Sequence, residues 1–199
     1  MFPAPVLTAA LLLPLAPAAP QEADAVAPAD PQQAWMAAAE PGDAHKILDA
    51  MAGTWETAGK FYMGPDAPPV VGTGTQTNTW TLGGRWLDGK YEGTFMGMPM
   101  EGRSRFGHDN LKGEYVSTWT DTFSTGLMVD RGTYDEKAKT ITLLGEAADP
   151  VSGRTIYTKS VITLAGPDEF TIVTRGTAPG AAKDSLMFKT MELTYTRKK

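Results

Sequence analysis

Apolar and polar residues alternate with a period of two along most of the chain, from about residue 54 to residue 197. In the segment 85–95, for example, Leu87, Tyr91 and Phe95 share one face, whereas charged residues share the other. This alternation is typical of β-strands that bury one face and expose the other. The pattern predicts ten strands, at about 54–63, 70–80, 85–95, 100–107, 114–121, 127–134, 140–146, 155–164, 170–175 and 186–197.

The segments between the predicted strands are short and rich in turn-forming residues, such as Gly-Pro-Asp at 64–66 and again at 166–168. No helical pattern separates the strands, so we expect neighbours in the chain to pair antiparallel. An open meander would expose two edge strands, and closure of the sheet removes both. We therefore predict an all-β fold, a closed antiparallel up-and-down barrel of about 8–10 strands with a short N-terminal helix.

The predicted helix lies directly before the first strand. Asp43 is suited to cap its N-terminus, and Ile47, Leu48 and Met51 fall on one face at helical spacing. A glycine follows at position 53, where the helix is expected to stop. A helix of two or three turns is marginally stable alone. We therefore expect it to pack against one end of the barrel.

An apolar run of ten residues, 6–15, lies near the N-terminus. A membrane-spanning helix needs about 20 residues, so this run is more typical of the central region of a secretory signal. Small residues at 16–18 and 23–25 suit a cleavage site, although residues 1–5 lack Lys and Arg. We predict a signal peptide at 1–25, and hence a periplasmic or secreted protein. A disordered cytoplasmic tail is the alternative.

The remaining chain divides into two parts. Residues 26–40 are rich in Ala and Pro and offer little to bury, which is typical of a disordered linker; a helical turn over 34–39 is an alternative for its end. Residues 41–199 form the predicted barrel domain.

Charge and cysteine content narrow the possible functions. The formal net charge is −5, and the only basic cluster is Arg-Lys-Lys at 197–199. Nucleic-acid binding depends on Lys and Arg that neutralise phosphates, so we predict no nucleic-acid partner. The chain contains no cysteine. Disulfides, thiolate metal sites and cysteine nucleophiles are therefore excluded.

Gly53, Trp55 and Arg197 carry a resemblance to known proteins. Their placement on the first and last predicted strands resembles the calycin and lipocalin arrangement, which implies that Arg197 packs over Trp55 and closes the barrel. The chain is also similar to a bacterial family of domain of unknown function 1579, which implies a calycin-like barrel without an established activity. That family more often has Tyr where this chain has His108. The matching segments are 41–42 with His45, 52–56, 82–93, 97–102, 107–110, 115–121, 126–136, 149–153 and 188–198.

Five residues are candidates for ligand binding inside the barrel: Tyr91, Tyr115, Ser117, Trp119 and Asp121. The last four share one face of a predicted strand. Aromatic walls with a few polar groups are the usual composition of a small-molecule site. The alternative is an interior filled by side chains, since about eight strands leave room for side chains or one small ligand.

Met96, Met98 and Met100 form a weak candidate metal site, because thioether sulfurs bind Cu(I). Gly97 and Pro99 instead predict a hairpin turn there, with the methionines as ordinary flexible apolar residues. We predict no cofactor and no metal.

His45 and His108 are the only histidines, and they lie far apart in the sequence. A zinc site needs about three protein ligands, so we expect structural roles: His45 at the joint between helix and barrel, and His108 in a turn. Residues 109–199 contain no histidine that could be an axial haem ligand on a late strand.

The leading functional hypothesis is an exported barrel that binds a small apolar or amphipathic ligand in its interior, without a transmembrane span. The alternative is a structural or protein-interaction module with a filled barrel. An enzyme that uses His45 or carboxylates is third, because the charged residues on neighbouring strands are expected to be solvated cross-strand pairs. These residues are Glu92, Glu101, Arg103 and Arg105.

Overall fold

Ten antiparallel strands form a closed barrel in the computed structural model of the protein, which describes residues 30–199. Each strand pairs with the next in the chain, and β1 also pairs with β10, so the predicted up-and-down barrel is confirmed. The predicted signal peptide and residues 26–29 of the predicted linker lie outside the described residues. The strands are β1 (Gly53–Phe61), β2 (Val70–Thr81), β3 (Trp86–Phe95), β4 (Met98–Asp109), β5 (Glu114–Asp121), β6 (Met128–Asp135), β7 (Thr140–Ala148), β8 (Thr155–Thr163), β9 (Glu169–Thr177) and β10 (Met187–Arg197).

The two ends of the barrel differ in what covers them. Because successive strands run in opposite directions, the connections alternate between the ends. We call the end that holds the β1–β2, β3–β4, β5–β6, β7–β8 and β9–β10 connections the mouth, and the opposite end the base. The helical segment that precedes β1 packs at the base.

The end of the predicted linker is helical, so the alternative of a helical turn over 34–39 describes it better than disorder does. Helix α1 spans Pro31–Ala39. Its first turn is stabilised because the Asp30 carboxylate accepts a hydrogen bond from the Gln32 backbone N–H at 3.0 Å, and proline is favourable at the first helical position. Asn110 fixes the other end by donating to the Glu40 carbonyl at 2.8 Å. Neither this helix nor any other among residues 30–199 is long and apolar enough to cross a bilayer.

The predicted helix before β1 consists of α2 (Asp43–Lys46) and a 3₁₀ helix (Ile47–Met51). The N-cap is Gly42 rather than Asp43, which corrects the prediction. The buried His45 ring explains the difference, because its Nδ1 accepts a hydrogen bond from the Gly42 backbone N–H at 3.2 Å. That bond satisfies an N-terminal amide, and the exposed Asp43 carboxylate pairs instead with Lys46 Nζ at 2.8 Å.

The base of the barrel is a filled apolar core. Leu48 and Met51 of the 3₁₀ helix are fully buried there together with Trp55. The Trp55 ring meets the Phe170 ring edge-on at 4.7 Å, and the Phe170 ring stacks on Tyr195 at 4.1 Å. The Trp55 indole Nε1 also donates to the Met51 carbonyl at 2.9 Å, so the helix is bonded to the first strand.

Arg197 joins the two strands that close the barrel. Trp55 and Arg197 are register partners across β1 and β10, and the guanidinium carbon lies 4.1 Å from the indole centroid. Arg197 Nη1 donates to the Ala52 carbonyl at 2.9 Å and Nε donates to the Pro167 carbonyl at 2.6 Å. A side chain at Gly53 would meet the guanidinium. The expected contact between Trp55 and Arg197 is therefore present.

Replacement of Arg197 by Ala should lower the free energy of unfolding by about 3 kcal/mol, because the change removes a cation–π contact and two charge-assisted hydrogen bonds. Urea unfolding followed by far-ultraviolet circular dichroism measures this loss. Lys198→Ala is the matched control, because the exposed Lys198 side chain carries the same charge beside the seam. Equal losses in the two variants would show that the stacked arginine does not stabilise the closure.

Candidate functional site

The barrel encloses a cavity of about 370 Å³ that extends from the middle of the interior to the mouth. Small-molecule sites in proteins are about 300–1,000 Å³, so this cavity is large enough for a small ligand. The interior is hollow at this end and filled at the base. An interior filled by side chains, the alternative, is therefore found at the base and not in the part that the cavity occupies.

The side chains around the cavity form three layers. Along β5, for example, the inward residues run Tyr115, Ser117 and Trp119 from base to mouth. We call the mouth layer the aromatic rim, the middle layer the polar belt and the base layer the apolar floor. The rim is Phe61, Tyr91, Phe95, Trp119 and Phe123; the belt is Thr57, Gln76, Ser104, Ser117, Asp130, Thr158, Ser160 and Thr174; the floor is Phe106, Leu143, Ile162, Ile172 and Tyr195.

The rings of the aromatic rim contact one another edge-on. Phe95 lies 4.8 Å from Phe61 and 5.3 Å from Phe123, measured between ring centroids, and Tyr91 lies 6.1 Å from Trp119. Edge-on pairs of this kind add attraction beyond the area that they bury. The rim therefore holds its rings in place around the opening.

Asp121 supports the rim and is not a free acid in the cavity. Its Oδ2 accepts a hydrogen bond from Trp119 Nε1 at 2.6 Å, and its Oδ1 accepts one from the Phe123 backbone N–H at 2.8 Å. Both carboxylate oxygens are therefore engaged. These contacts orient the indole and the first residues of the β5–β6 connection.

A chain of hydrogen bonds leads from the base into the polar belt. Asn78 Nδ2 donates to the Met51 carbonyl at 2.7 Å, and Asn78 Oδ1 accepts from Gln76 Nε2 at 2.9 Å. Gln76 Nε2 also donates to Ser104 Oγ at 3.1 Å. These groups come together because Gly89 has no side chain between them. These hydrogen bonds fix the orientation of the Gln76 amide. In that orientation its buried Oε1 has no hydrogen-bond donor among the described residues.

Asp130 is the second acceptor of the belt that the protein leaves open. Its Oδ1 accepts one long hydrogen bond, from Thr158 Oγ1 at 3.4 Å, and its carboxylate occupies the space that a side chain at Gly145 would need. Within residues 30–199 no Lys, Arg or His forms an ion pair with it. Burial raises the pKa of the Asp130 carboxyl above its usual value, because a charged carboxylate loses its hydration there.

Four of the five predicted ligand-binding residues line the cavity: Tyr91, Ser117, Trp119 and Asp121. Tyr115 does not line it, which corrects its placement. Its hydroxyl donates to the Ala44 carbonyl of α2 at 2.9 Å, and its ring lies in the core at the base. The prediction assigned the correct face of β5, but Tyr115 is two residues nearer the base than Ser117.

Gln76, Asp130 and Thr158 were not predicted as site residues. The signal was present in the alternation, because Met128, Asp130 and Tyr134 share the inward face of β6. The alternation rule places apolar side chains inside the barrel and charged ones outside. Asp130 breaks that rule.

His45 and His108 lie together at the base, although they are distant in the sequence. Their rings meet edge-on with centroids 5.8 Å apart. Burial lowers the pKa of His45, and the nearby His108 and Arg85 charges add to this effect. His108 Nδ1 bonds Asn110 Oδ1 at 3.1 Å. Among the described residues, no three His, Asp or Glu side chains come together as metal ligands.

The three methionines of the weak metal candidate are separated by the hairpin turn that the sequence predicts. Met96 lies in the turn with φ of 53° and is 54% exposed. Met98 is 49% exposed at the mouth end of β4, whereas Met100 lines the cavity. The segment is therefore part of the mouth of the barrel.

Outward-facing charges on β3 and β4 form surface ion pairs. Arg105 Nε lies 2.6 Å from Asp88 Oδ1, and Lys90 pairs with Glu92. The Arg105 guanidinium holds the pKa of Asp88 below its usual value. Glu92 and Glu101 are register partners on the exposed outer face. Arg103 donates to the Gly102 carbonyl at 3.0 Å and forms no pair with these carboxylates.

Comparison with known proteins relates the chain to one family. A family model described as "Protein of unknown function (DUF1579)" matches residues 40–197. No curated protein matches the chain.

Among solved structures, Rv2717c from M. tuberculosis is similar with a TM-score of 0.57 at 14% identity, over 80% of this chain and 100% of that chain. The S-type phycobiliprotein lyase CPES from Guillardia theta is similar with a TM-score of 0.54 at 9% identity, over 78% of this chain and 93% of that chain. At these identities the likeness shows the barrel fold alone.

Asp130→Asn should change how stability depends on pH. Because burial raises the folded-state pKa of Asp130 above its usual 3.8, this carboxyl favours the folded state at low pH, and that contribution is lost as the pH rises through the folded-state value. The free energy of unfolding of D130N should therefore rise relative to the parent between about pH 3.5 and pH 7. Urea unfolding across this range measures the difference.

Asp88→Asn is the control, and its effect on the pH dependence of stability should have the opposite sign, because Arg105 lowers the pKa of Asp88. The parent should gain stability relative to D88N as the pH rises, until Asp88 is fully ionised. If the free energy of unfolding of D130N followed the same pH dependence as that of the parent, the buried environment of Asp130 would be contradicted.

Proposed function

Since the chain belongs to the DUF1579 family of proteins of unknown function, and its barrel encloses a cavity of about 370 Å³, we propose that it binds a small apolar or amphipathic molecule inside the barrel. The observation that carries this proposal is the cavity in the half of the barrel nearest the mouth. Protein interiors are normally packed as densely as organic crystals. A ligand in this cavity would supply the contacts that the side chains around it lack.

The three layers of the cavity support an amphipathic occupant. The apolar floor and the aromatic rim supply the area that drives burial of a hydrocarbon body, at about 25 cal/mol for each Å² removed from water. The polar belt between them offers hydroxyl, amide and carboxyl groups at one depth in the cavity. An apolar molecule with a single polar group fits this order better than a uniformly polar one.

The cavity also favours binding over a purely structural role. A module that acts only through its outer surface gains nothing from an empty interior, because cavities cost stability in proportion to their volume. The polar belt adds to that cost, since buried polar groups without partners are unfavourable. A bound ligand would offset both costs, and its binding would stabilise the folded state.

We propose in addition that the protein is exported. The proposal is supported by the apolar run at 6–15 and by the small residues that follow it at 16–18 and 23–25. A periplasmic or secreted barrel would meet ligands outside the cytoplasm.

Filling the cavity should abolish binding of a neutral apolar dye such as Nile red. Ser160→Trp places an indole from β8 into the polar belt, where it takes up much of the cavity and should weaken dye binding at least about ten-fold. Lys159→Trp is the matched control, because Lys159 is the preceding residue of the same strand and faces water. Fluorescence titration measures both affinities, and circular dichroism checks that each variant is folded.

Equal dye affinity in the two folded variants would contradict the proposed site. The dye would then bind on the surface or at another position.

Export predicts a processed chain outside the cytoplasm. Expression in a bacterial host, followed by fractionation and intact-mass measurement, should find the mature protein in the periplasm or medium, with a mass that corresponds to cleavage near residue 18 or residue 25. A variant without residues 6–15 should remain in the cytoplasm. An unprocessed parent in the cytoplasmic fraction would refute the proposal of export.

A further inference from the structure

The polar belt of the cavity is chemically one-sided. Its serine and threonine hydroxyls can donate or accept a hydrogen bond, but the two groups without a full set of partners can only accept when Asp130 is ionised. These groups are Gln76 Oε1 and the Asp130 carboxylate. Of these two groups, only the Asp130 carboxylate can be reached from the cavity, so a ligand that pairs with it must bring a donor.

Gln76 supplies the first observation. Its side chain is 4% exposed and lines the cavity, and its Oε1 has no partner among the described residues. The orientation of the amide follows from its neighbours, because Asn78 donates to the Met51 carbonyl and so must accept from Gln76 Nε2. Because Oε1 has almost no accessible surface, it adds negative partial charge to the wall but cannot be reached by a ligand in the cavity.

Asp130 supplies the second and independent observation. It lies on β6, four strands away from Gln76 on β2, so the two acceptors are on different parts of the wall. Its one hydrogen bond in the structure is the long contact with Thr158, and no cationic side chain among residues 30–199 pairs with it. The other titratable groups of the cavity wall are Tyr91, Asp121 and Tyr195.

The charge of the cavity wall disfavours anionic ligands. Among residues 30–199, no Lys, Arg or His lines the cavity. A carboxylate ligand would therefore lose its hydration without gaining a cationic partner, and it would also be repelled by Asp130.

We propose that the ligand of this cavity is an apolar molecule with a cationic amine head, and that Asp130 receives that head. This inference rests on the proposed ligand-binding function and specifies its ligand class. The ammonium donates to the Asp130 carboxylate in the polar belt, and the hydrocarbon body extends from there toward the mouth along the aromatic rim.

Competition among three probes of equal chain length tests the inference. Decylamine, decanol and decanoate are each used to displace Nile red from the full chain at neutral pH, below the concentrations at which they form micelles. Decylamine should displace the dye at concentrations at least about ten-fold lower than decanoate, with decanol in between. Displacement by decanoate at equal or lower concentration than decylamine would overturn the inference.

Asp130→Asn then tests the residue. It should weaken decylamine about ten-fold or more and leave decanol unchanged within about two-fold. Glu146→Gln is the matched control, because Glu146 follows Gly145 on β7 and exposes an equal charge on the outer face. Equal decylamine affinity in D130N and the parent would assign the preference to another group and overturn the role of Asp130.

The outcomes separate this inference from the function on which it rests. If the dye binds the interior but the three probes compete equally, the ligand-binding function remains and the amine preference is wrong. If the dye binds equally to S160W and to K159W, the interior is not the binding site, and both proposals fail.

Discussion

The structure depends on closure of the sheet between its first and last strands. A ten-stranded meander has two free edges, and each edge would expose unpaired N–H and C=O groups. Pairing of β1 with β10 removes both edges, and Arg197 stacks over Trp55 where the seam meets the base. The same indole donates to the Met51 carbonyl, which also accepts from Asn78. One carbonyl thus links the helical plug, the seam and the first residue of the chain of hydrogen bonds that reaches the polar belt.

Closure with ten strands also explains why one end is hollow. Eight strands leave an interior that side chains can fill, and each added strand widens it. At the base the 3₁₀ helix supplies Leu48 and Met51 as additional filling, so the large rings of Trp55, Phe170 and Tyr195 pack tightly. Nothing equivalent covers the mouth among the described residues. The width that closure imposes is therefore filled at one end and remains a cavity at the other.

The sequence predicts the architecture well because the alternation of apolar and polar residues is local and repeated. All ten strands lie close to their predicted bounds, and the contact between Trp55 and Arg197 is present. The N-cap at Gly42 could not be read from the sequence, since it depends on the His45 ring being buried at the base. Helix α1 is longer than the helical turn over 34–39 that the sequence suggests as an alternative, because the Asp30 cap and the Asn110 contact stabilise it and composition shows neither.

The site is harder to predict, for a physical reason. Alternation identifies the inward face of a strand but not the depth of a residue along the barrel, so Tyr115 and Trp119 look equivalent although one is in the core and the other at the rim. Depth depends on how the strands are staggered, which is a property of the closed barrel.

Asp130 shows a second limit of sequence reasoning, because hydrophobic patterning assigns a charged residue to the outside. Here the missing side chain at Gly145 on the neighbouring strand leaves space for the carboxylate within the wall. Such a group reduces stability, and it contributes nothing to closure of the barrel. A residue that departs from the hydrophobic pattern without stabilising the fold is a candidate for a functional role. The same reasoning separates Asp130 from Asp121, whose oxygens are both used to hold the rim. Of the two acids in the cavity wall, the one without a structural task is the one available to a ligand.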